Sequence, residues 1–352
     1  MKRQHITTFI AATVICTAGI GLVRFPREIS AAVQTNLTLC TNTLLPGLFP
    51  FFVLSSLVIK LELLRPLEQI LNMVMQRAFH LPGSCASALV LGMIGGYPTG
   101  AKVVTELYRS ASCSKDEGER ALSFCNNCGP AFLFGMVGCT ILGDPHYGAL
   151  LTAVHYTAAV LTGIIINRSS TISATHRTRS NHAPASLSAA FVDSVTGALR
   201  SLLDLFSFVL CFGAITKLLE ISGISSWAAS TLLPFLKAES SESFLLGLLE
   251  LTHGVVNLSE ESLPIQLILF SALLGWGGIS VHCQVLALLR DTDLSPARYL
   301  KGKGLHAALS ASLMWIILYR PGMIIPSLGC TLLLVSHINV KKRSGKAAKS
   351  IV

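Results

Sequence analysis

Long apolar runs separated by short polar joints take up almost the whole chain, and this alternation leaves few folds open to it. Hydrophobic residues make up 51% of its 352 residues and charged residues only 13%, against about 25% charged in an ordinary soluble domain. An apolar segment of about 20 residues crosses a bilayer as one helix. The sequence therefore predicts an all-α polytopic membrane protein, with no room left for a soluble catalytic domain.

The net charge of +9 is concentrated in the joints and at the C-terminus. Basic residues next to membrane helices stay on the cytoplasmic side, so we expect both the central polar linker and the C-terminal tail there. The basic residues of the tail are Lys341, Lys342, Arg343, Lys346 and Lys349. Such a tail orients its helix and contacts anionic lipid, which makes the lipid bilayer the expected partner and gives no reason to expect nucleic acid.

Glycine and proline interrupt the apolar runs at two places in the first half, Gly95-Gly96-Tyr97-Pro98-Thr99-Gly100 and Cys125-Asn126-Asn127-Cys128-Gly129-Pro130. Inside a bilayer, such an interruption survives only where protein or a wet cavity satisfies the freed backbone groups. Paired interruptions in the two halves of a membrane protein indicate a transporter's binding site. A second pair does occur, at Glu250-Leu251-Thr252-His253-Gly254 and Gly275-Trp276-Gly277-Gly278.

The first interruption divides segment 84–109 into two arms that are each too short to cross a bilayer. This predicts a re-entrant helical hairpin with its tip at residues 95–100. Ser114, with Glu117 three residues later, has the spacing of a capping box, so a helix is expected to begin near Lys115. That helix meets the second interruption halfway, which predicts a discontinuous transmembrane helix.

The second half repeats this order of features. A short surface stretch precedes an interrupted hairpin at 243–258, a broken helix at 264–290, a polar joint at 293–303 and closing helices at 305–318 and 323–338. Two repeats follow from this order, and they are inverted if each half crosses the membrane an odd number of times. The predicted parts are an N-terminal transmembrane helix and linker 1–35, a first repeat 36–167, a polar cytoplasmic linker 168–188, a second repeat 189–338 and a basic tail 339–352.

Polar residues beside these interruptions form the candidate site, because polar groups at membrane depth usually have a function. The candidate substrate contacts are Tyr97, Thr99, Lys102, Asn126, Asn127, Gly129, Glu250, Thr252, His253, Ser280 and His282. The residues expected to break the helices are Gly96, Pro98, Gly100, Pro130, Gly254, Gly277 and Gly278. A half-helix that begins near Pro130 would present free N–H groups, which suit an anion.

Several of these residues have a structural alternative. Lys102 could pair with Glu106 on one helix face, and the two asparagines could cap the half-helices. His282 could be a buried, hydrogen-bonded residue, and Glu250 could pair with His253. If one of these ionisable groups acts in transport, it would move a proton. The coupling ion that we expect is a proton or sodium.

Enzyme chemistry has little support in the sequence. The ten cysteines are scattered through apolar segments, and Cys125-x-x-Cys128 lacks the second ligand pair of a four-ligand zinc site. No Ser-His-Asp order, phosphate-loop pattern or HExxH helix occurs. We therefore expect no enzyme activity, no metal and no cofactor.

Three motifs carry a resemblance to a known family: GGYPTGAK at 95–102, SFCNNCGPAF at 123–132 and LLGWGGISVH at 273–282. Together they resemble the sporulation integral membrane proteins of the YlbJ type, which carry a nucleoside-recognition gate domain related to concentrative nucleoside transporters. One departure is Cys128, where the family is associated with a serine. The resemblance implies a protein of the outer forespore membrane that moves dipicolinic acid out of the mother cell toward the forespore.

The sequence and the resemblance together predict a secondary transporter of dipicolinate or a similar small aromatic carboxylate. Two half-helix N-termini, Lys102 and two asparagines would suit such a dianion. Two alternatives stay open, a nucleoside or nucleobase transporter and a non-transporting membrane assembly factor for spore maturation. Glu250 and Asn127 could supply the ribose contacts that a nucleoside needs.

Overall fold

The structure, a computed structural model, describes residues 2–61, 63, 65–168, 186–258 and 261–323. These residues fold into helices and short connections without a strand, which confirms the all-α prediction. The interior of the predicted linker, most of the second closing helix and the basic tail lie outside the described residues.

The described part of the first half, up to the central linker, contains eight α-helices and one long π-helix. They are α1 (Lys2–Arg24), α2 (Pro26–Leu39), α3 (Leu45–Lys60), α4 (Arg65–Val74), α5 (Cys85–Gly95), α6 (Thr99–Arg109), α7 (Lys115–Cys125), the π-helix Ala131–Ile141 and α8 (Pro145–Asn167). Short π turns, Cys40–Leu44 and Met75–Phe79, follow α2 and α4.

The described part of the second half contains seven α-helices. They are α9 (Leu187–Ile221), α10 (Ile224–Leu232), α11 (Ala238–Leu249), α12 (Leu251–Asn257), α13 (Leu263–Trp276), α14 (Gly278–Leu289) and α15 (Ala297–Tyr319), followed by a 3₁₀ turn at Pro321–Met323.

Four helical segments among the described residues are long and apolar enough to cross a membrane. They are Pro26–Val58, Pro145–Asn167, Leu187–Ile221 and Leu263–Leu289. This agrees with the polytopic membrane class that the composition predicts.

The two longest segments lie side by side. The π turn joins α2 to α3 without a break, and α9 runs antiparallel to both. At one end, the Lys60 ammonium lies 3.2 Å from the Asp193 carboxylate, and further along Gly213 makes room for the side chain of Asn36. The boundary predicted at residue 35 lies inside α2, where Thr35 and Asn36 continue the helix.

The interruptions of the first half lie close to where the sequence predicts them, except that α6 begins at Thr99, so Gly100 lies inside this helix and does not break it. Helices α5 and α6 pack against each other as a hairpin whose tip contains Gly96. The capping box at the start of α7 is present, since Ser114 and Glu117 exchange hydrogen bonds with each other's backbone N–H groups. Helix α7 ends at Cys125, and the π-helix begins after Pro130.

The second hairpin has its break at a different residue from the one expected. Helices α11 and α12 are separated by Glu250 alone, so Gly254 lies inside α12 and does not break a helix. A Cβ on Gly254 would lie 2.4 Å from the Cα of Gly247, so Gly254 allows close contact between the two arms. Helices α13 and α14 meet at Gly277, whose φ is +91°.

The polar joint predicted at 293–303 is shorter than expected, because α15 already begins at Ala297. Helix α15 packs beside α7, and α7 provides polar partners for residues of this joint. The Arg298 guanidinium lies 2.6 Å from the Asp116 carboxylate, and a Cβ on Gly302 would lie 2.0 Å from the carbonyl oxygen of Ser123. This places the next residue, Lys303, inside the protein.

Candidate functional site

The tip of the first hairpin touches the broken helices of both halves. A Cβ placed on Gly96 would lie 3.0 Å from the amide nitrogen of Gly129, beside the break after α7. The Tyr97 hydroxyl donates a hydrogen bond of 2.8 Å to the carbonyl oxygen of Leu274, near the end of α13. The tip therefore lies between the two breaks.

The second hairpin tip reaches the same place from the other half of the chain. A Cβ on Gly278, at the start of α14, would lie 3.0 Å from the amide nitrogen of Leu251. The Trp276 indole N–H donates a hydrogen bond of 3.0 Å to the carbonyl oxygen of Leu248. All four interruptions thus meet in one region of the described protein.

A cavity of about 60 Å³ lies where they meet, and we call it the central cavity. The first three interruptions contribute Gly96, Gly129 and Glu250 to its wall, and Ser280, two residues beyond the fourth interruption, also lines it. Apolar side chains of α3 and α9 complete the wall. This volume holds a few water molecules, so the conformation described here is closed to an aromatic dicarboxylate.

Lys303 lies behind Tyr97 and is only 1% exposed. Its ammonium donates hydrogen bonds to the Tyr97 hydroxyl oxygen at 2.9 Å, to the carbonyl oxygen of Asn126 at 3.3 Å and to Nδ1 of His306 at 3.3 Å. Tyr97 and its neighbour Cys128 also line the central cavity. Lys303 therefore joins α15 to the first hairpin tip and to the break between α7 and the π-helix.

Two buried histidines extend this network. Nε2 of His306 lies 2.9 Å from the carbonyl oxygen of His155 and donates to it. The amide N–H of Cys128 donates to Nε2 of His155 at 3.1 Å. These bonds make both imidazoles neutral, with the proton on Nε2 of His306 and on Nδ1 of His155.

Asn126 and Asn127 are buried in the break between α7 and the π-helix, and their side chains form hydrogen bonds with backbone groups. The Asn126 side-chain oxygen accepts a bond of 3.4 Å from the amide of Ala101, in the first turn of α6. The Asn127 side-chain nitrogen donates to the carbonyl oxygen of Phe124 at 2.9 Å, which caps the end of α7. The capping alternative is therefore present, while the side-chain oxygen of Asn127 has no partner among the described residues.

Glu250 caps the short helix that follows it. Its carboxylate accepts a bond of 2.6 Å from the amide N–H of His253, so it takes up the orphan donors at the start of α12. Glu250 is 4% exposed and lines the central cavity together with Thr252 and Ser280. Glu250 thus contacts His253 through the backbone amide, whereas the His253 side chain lies beside Glu220.

The His253 side chain points to the other side of α12, into a larger groove of about 820 Å³ between α2, α9, α11 and α12. We call it the side groove. Nε2 of His253 lies 3.4 Å from the Glu220 carboxylate, which also pairs with Lys217 at 2.9 Å. Thr252 lines both spaces, so the first turn of α12 separates the side groove from the central cavity.

His282 faces a third environment. Its Nδ1 bonds to the Tyr299 hydroxyl at 2.8 Å, and its ring packs edge-on against Trp276 at 4.3 Å. His282 does not line the central cavity, so the structure gives it the hydrogen-bonded, buried role that the sequence left open. Its Nε2 has no partner among the described residues.

Two other candidates lie outside the cavity wall. Thr99 begins α6, and its amide donates to the carbonyl oxygen of Gly96 at 2.8 Å. Lys102 is exposed on the outer face of α6, as is Glu106. The interior cation next to the cavity is Lys303 instead.

The sequence reading missed Lys303 and its neighbours because it counted Lys303 as part of a polar joint. A usable signal was present, since polar residues recur at helical spacing along α15 and share one face. These residues are Tyr299, Lys303, His306 and Ser310, and all are at most 1% exposed.

The polar joint beyond the site holds the ends of α6, α7 and α14 together. The Asp293 carboxylate accepts hydrogen bonds from the Tyr108 hydroxyl and, at 3.1 Å, from the Lys115 ammonium. These two bonds hold the pKa of Asp293 below its ordinary range. Asp293 is largely exposed, so solvent screening weakens the pairing.

Comparison with known proteins confirms the resemblance stated from the motifs. The chain is 28% identical over 351 residues to the sporulation integral membrane protein YlbJ of Bacillus subtilis (strain 168), with 91% of this chain and 85% of the relative covered. No protein-family model matches the chain, and no solved structure matches it significantly. Together with the apolar helices, this similarity supports a sporulation-related, integral membrane protein.

Proposed function

We propose that this relative of the YlbJ-type sporulation integral membrane proteins is a secondary transporter of a small anionic aromatic metabolite, with dipicolinic acid as the leading candidate. The proposed direction is from the mother cell toward the forespore, across the outer forespore membrane. This proposal draws its substrate from the family resemblance and its mechanism from the geometry of the site.

The convergence of the four interruptions at the central cavity is the observation that carries the proposal. Broken helices that meet at one place can give a polar site inside an apolar protein, because the helix ends have backbone groups without partners in the helix. The starts of α6, the π-helix and α14 lie around the cavity, and the positive ends of helix dipoles favour an anion. The Glu250 carboxylate also lines the cavity and would repel an anion. It accepts a hydrogen bond from the backbone at the start of α12, which stabilises its negative charge.

The positions of the hairpins support alternating access as the proposed mechanism. Each tip touches a broken helix, and the hairpins come from different halves of the chain. The antiparallel pairing of α3 with α9 supports two inverted repeats whose hairpins enter from opposite faces. In the closed conformation both tips line the cavity, and withdrawal of one tip at a time would expose the cavity to one side.

Uptake into proteoliposomes tests the proposal. Vesicles that contain the wild-type protein should accumulate labelled dipicolinate, and imposed proton and sodium gradients should identify the coupling ion. Excess unlabelled dipicolinate should compete, whereas uridine and adenosine should not. Competition by the nucleosides would favour a nucleoside transporter instead.

A pair of variants links uptake to the cavity. Ser280→Leu places a larger side chain into about 60 Å³ of space and should abolish uptake, while Ser280→Ala should retain it. Lys102→Ala changes an exposed residue of α6 and should also retain uptake. If wild-type vesicles stay empty under every gradient while the protein still supports spore formation, the transport proposal is wrong and an assembly role is favoured.

A further inference from the structure

Three acceptors surround the nitrogen of Lys303, which is the full complement for an ammonium with three N–H donors. The Tyr97 hydroxyl donates its hydrogen bond to the carbonyl oxygen of Leu274, so its oxygen accepts the hydrogen bond from Lys303. Nε2 of His306 donates a hydrogen bond to the carbonyl oxygen of His155, so Nδ1 of His306 is the nitrogen that accepts from Lys303. The carbonyl oxygen of Asn126 is the third acceptor. The surroundings of Lys303 therefore fit the charged form.

This charge has no counter-charge within the described part of the chain. All three partners are neutral, and no carboxylate among the described residues forms an ion pair with Lys303. A buried charge without an opposite partner is unfavourable, and polar neighbours offset this only in part. A residue kept in this state is suited to an anion that comes from outside the protein.

The central cavity is the nearest place for such an anion. Tyr97 lines the cavity and also contacts Lys303, whose nitrogen lies 4.9 Å from the centre of its ring. Cys128 and Gly129, next to the Asn126 carbonyl that Lys303 holds, line the same cavity. A small rotation of Tyr97 would bring Lys303 into contact with an occupant of the cavity.

We infer that Lys303 is the cation that receives a carboxylate of the transported molecule, and that the Tyr97 hydroxyl oxygen occupies this position while the cavity is empty. This inference rests on the proposed function and names its recognition residue. Because the Tyr97 hydroxyl also bonds to Leu274, an acid that draws Lys303 away weakens the contact between the first hairpin tip and α13. Binding of the cargo would thereby loosen the closed conformation.

Thermal stabilisation of the purified protein in detergent tests the inference independently of transport. The probes are dipicolinate, picolinate and the uncharged dimethyl ester of dipicolinate. For the wild type, the acids should raise the melting temperature in a saturable way, and the ester should not. An ester that stabilises as well as dipicolinate would overturn the inference without any variant.

Three variants complete the test. Lys303→Met and Lys303→Gln remove the charge, the second with a hydrogen-bond donor kept, and should weaken dipicolinate binding about tenfold or more. Lys301→Met alters an exposed lysine two residues away and should bind as the wild type does. Wild-type affinity in either Lys303 variant would overturn the inference while dipicolinate uptake by the wild type still supported the proposed function. Conversely, Lys303-dependent binding of the acids without any uptake would support the inference and reject transport of dipicolinate.

Discussion

The Lys303 ammonium donates a hydrogen bond of 2.9 Å to the Tyr97 hydroxyl, across 206 residues of sequence. Tyr97 belongs to the first hairpin tip and Lys303 to the last described long helix, so the bond joins the two halves of the chain at the central cavity. We therefore expect contacts at this point to affect the stability of the first hairpin tip.

Tyr97→Phe should open the tip. The change removes a hydrogen bond to the Leu274 carbonyl and an acceptor of Lys303, and loss of a partner for a buried polar group costs about 1–3 kcal/mol. We expect a lower melting temperature and faster amide hydrogen exchange at residues 95–100. Tyr147→Phe is the matched control, because no hydrogen bond of its hydroxyl is found among the described residues. Equal exchange at the tip in both variants would mean that the hydroxyl does not hold it.

Glu250 should act mainly as a helix cap. Glu250→Ala removes the acceptor for the His253 amide and should lower the free energy of unfolding by about 1 kcal/mol. Glu250→Gln keeps an acceptor of the same length and should retain most of the stability. Uptake measurements on Glu250→Gln then separate capping from proton transfer. Retained uptake with unchanged pH dependence is expected, and a folded variant without proton-driven uptake would contradict the capping role.

Gly100→Ala should disrupt the contact between the first hairpin and α7. Its Cβ would lie 2.0 Å from the backbone oxygen of Cys125, and backbone at this position cannot move away as a flexible side chain can. We expect a loss of about 3 kcal/mol or more, measured as lower yield of folded protein and a lower melting temperature. Gly304→Ala is the control, since nothing lies within 4 Å of its added Cβ. A Gly100→Ala protein as stable as this control would show that the packing is looser than described.

Asp293 should make stability depend on pH at the polar joint. Its pKa is lowered by Tyr108 and Lys115, so its contribution is present above the ordinary carboxyl pKa of about 3.9 and is lost as the pH falls through the lower, folded-state value. Asp293→Asn should therefore melt below the wild type at neutral pH, and the difference should shrink as the pH drops below about 4. Asp291→Asn, whose carboxylate lies 3.9 Å from Arg109, serves for comparison. A difference that does not change with pH would exclude this ion pair as its source.

The helix breaks were predictable because glycine, proline and asparagine change local backbone preferences wherever they occur. The capping box at Ser114 and Glu117 and the first hairpin tip follow directly from such residues. Gly254 was assigned wrongly for the same reason. Its effect there is to let two helices approach closely, which depends on a tertiary contact with Gly247.

The interior of the site was only partly predictable. Tyr97, Gly129, Glu250, Thr252 and Ser280 line the cavity as residues next to the breaks. Lys303 could not be assigned from polarity alone, because a lysine near a helix start is usually solvated. Its burial results from the close approach of Gly302 to α7, and the local sign of it is the helical spacing of the buried polar residues along α15.

Helix α9, from Leu187 to Ile221, has 35 residues, and at 1.5 Å per residue it is about 52 Å long. The hydrocarbon layer of a bilayer is about 30 Å thick, and transmembrane helices rarely incline by more than about 40°. One end of α9 must consequently project beyond the hydrocarbon layer. A change of lateral pressure or of membrane thickness would then change the tilt of α9, and α2 and α3, which pack along it, would tilt with it.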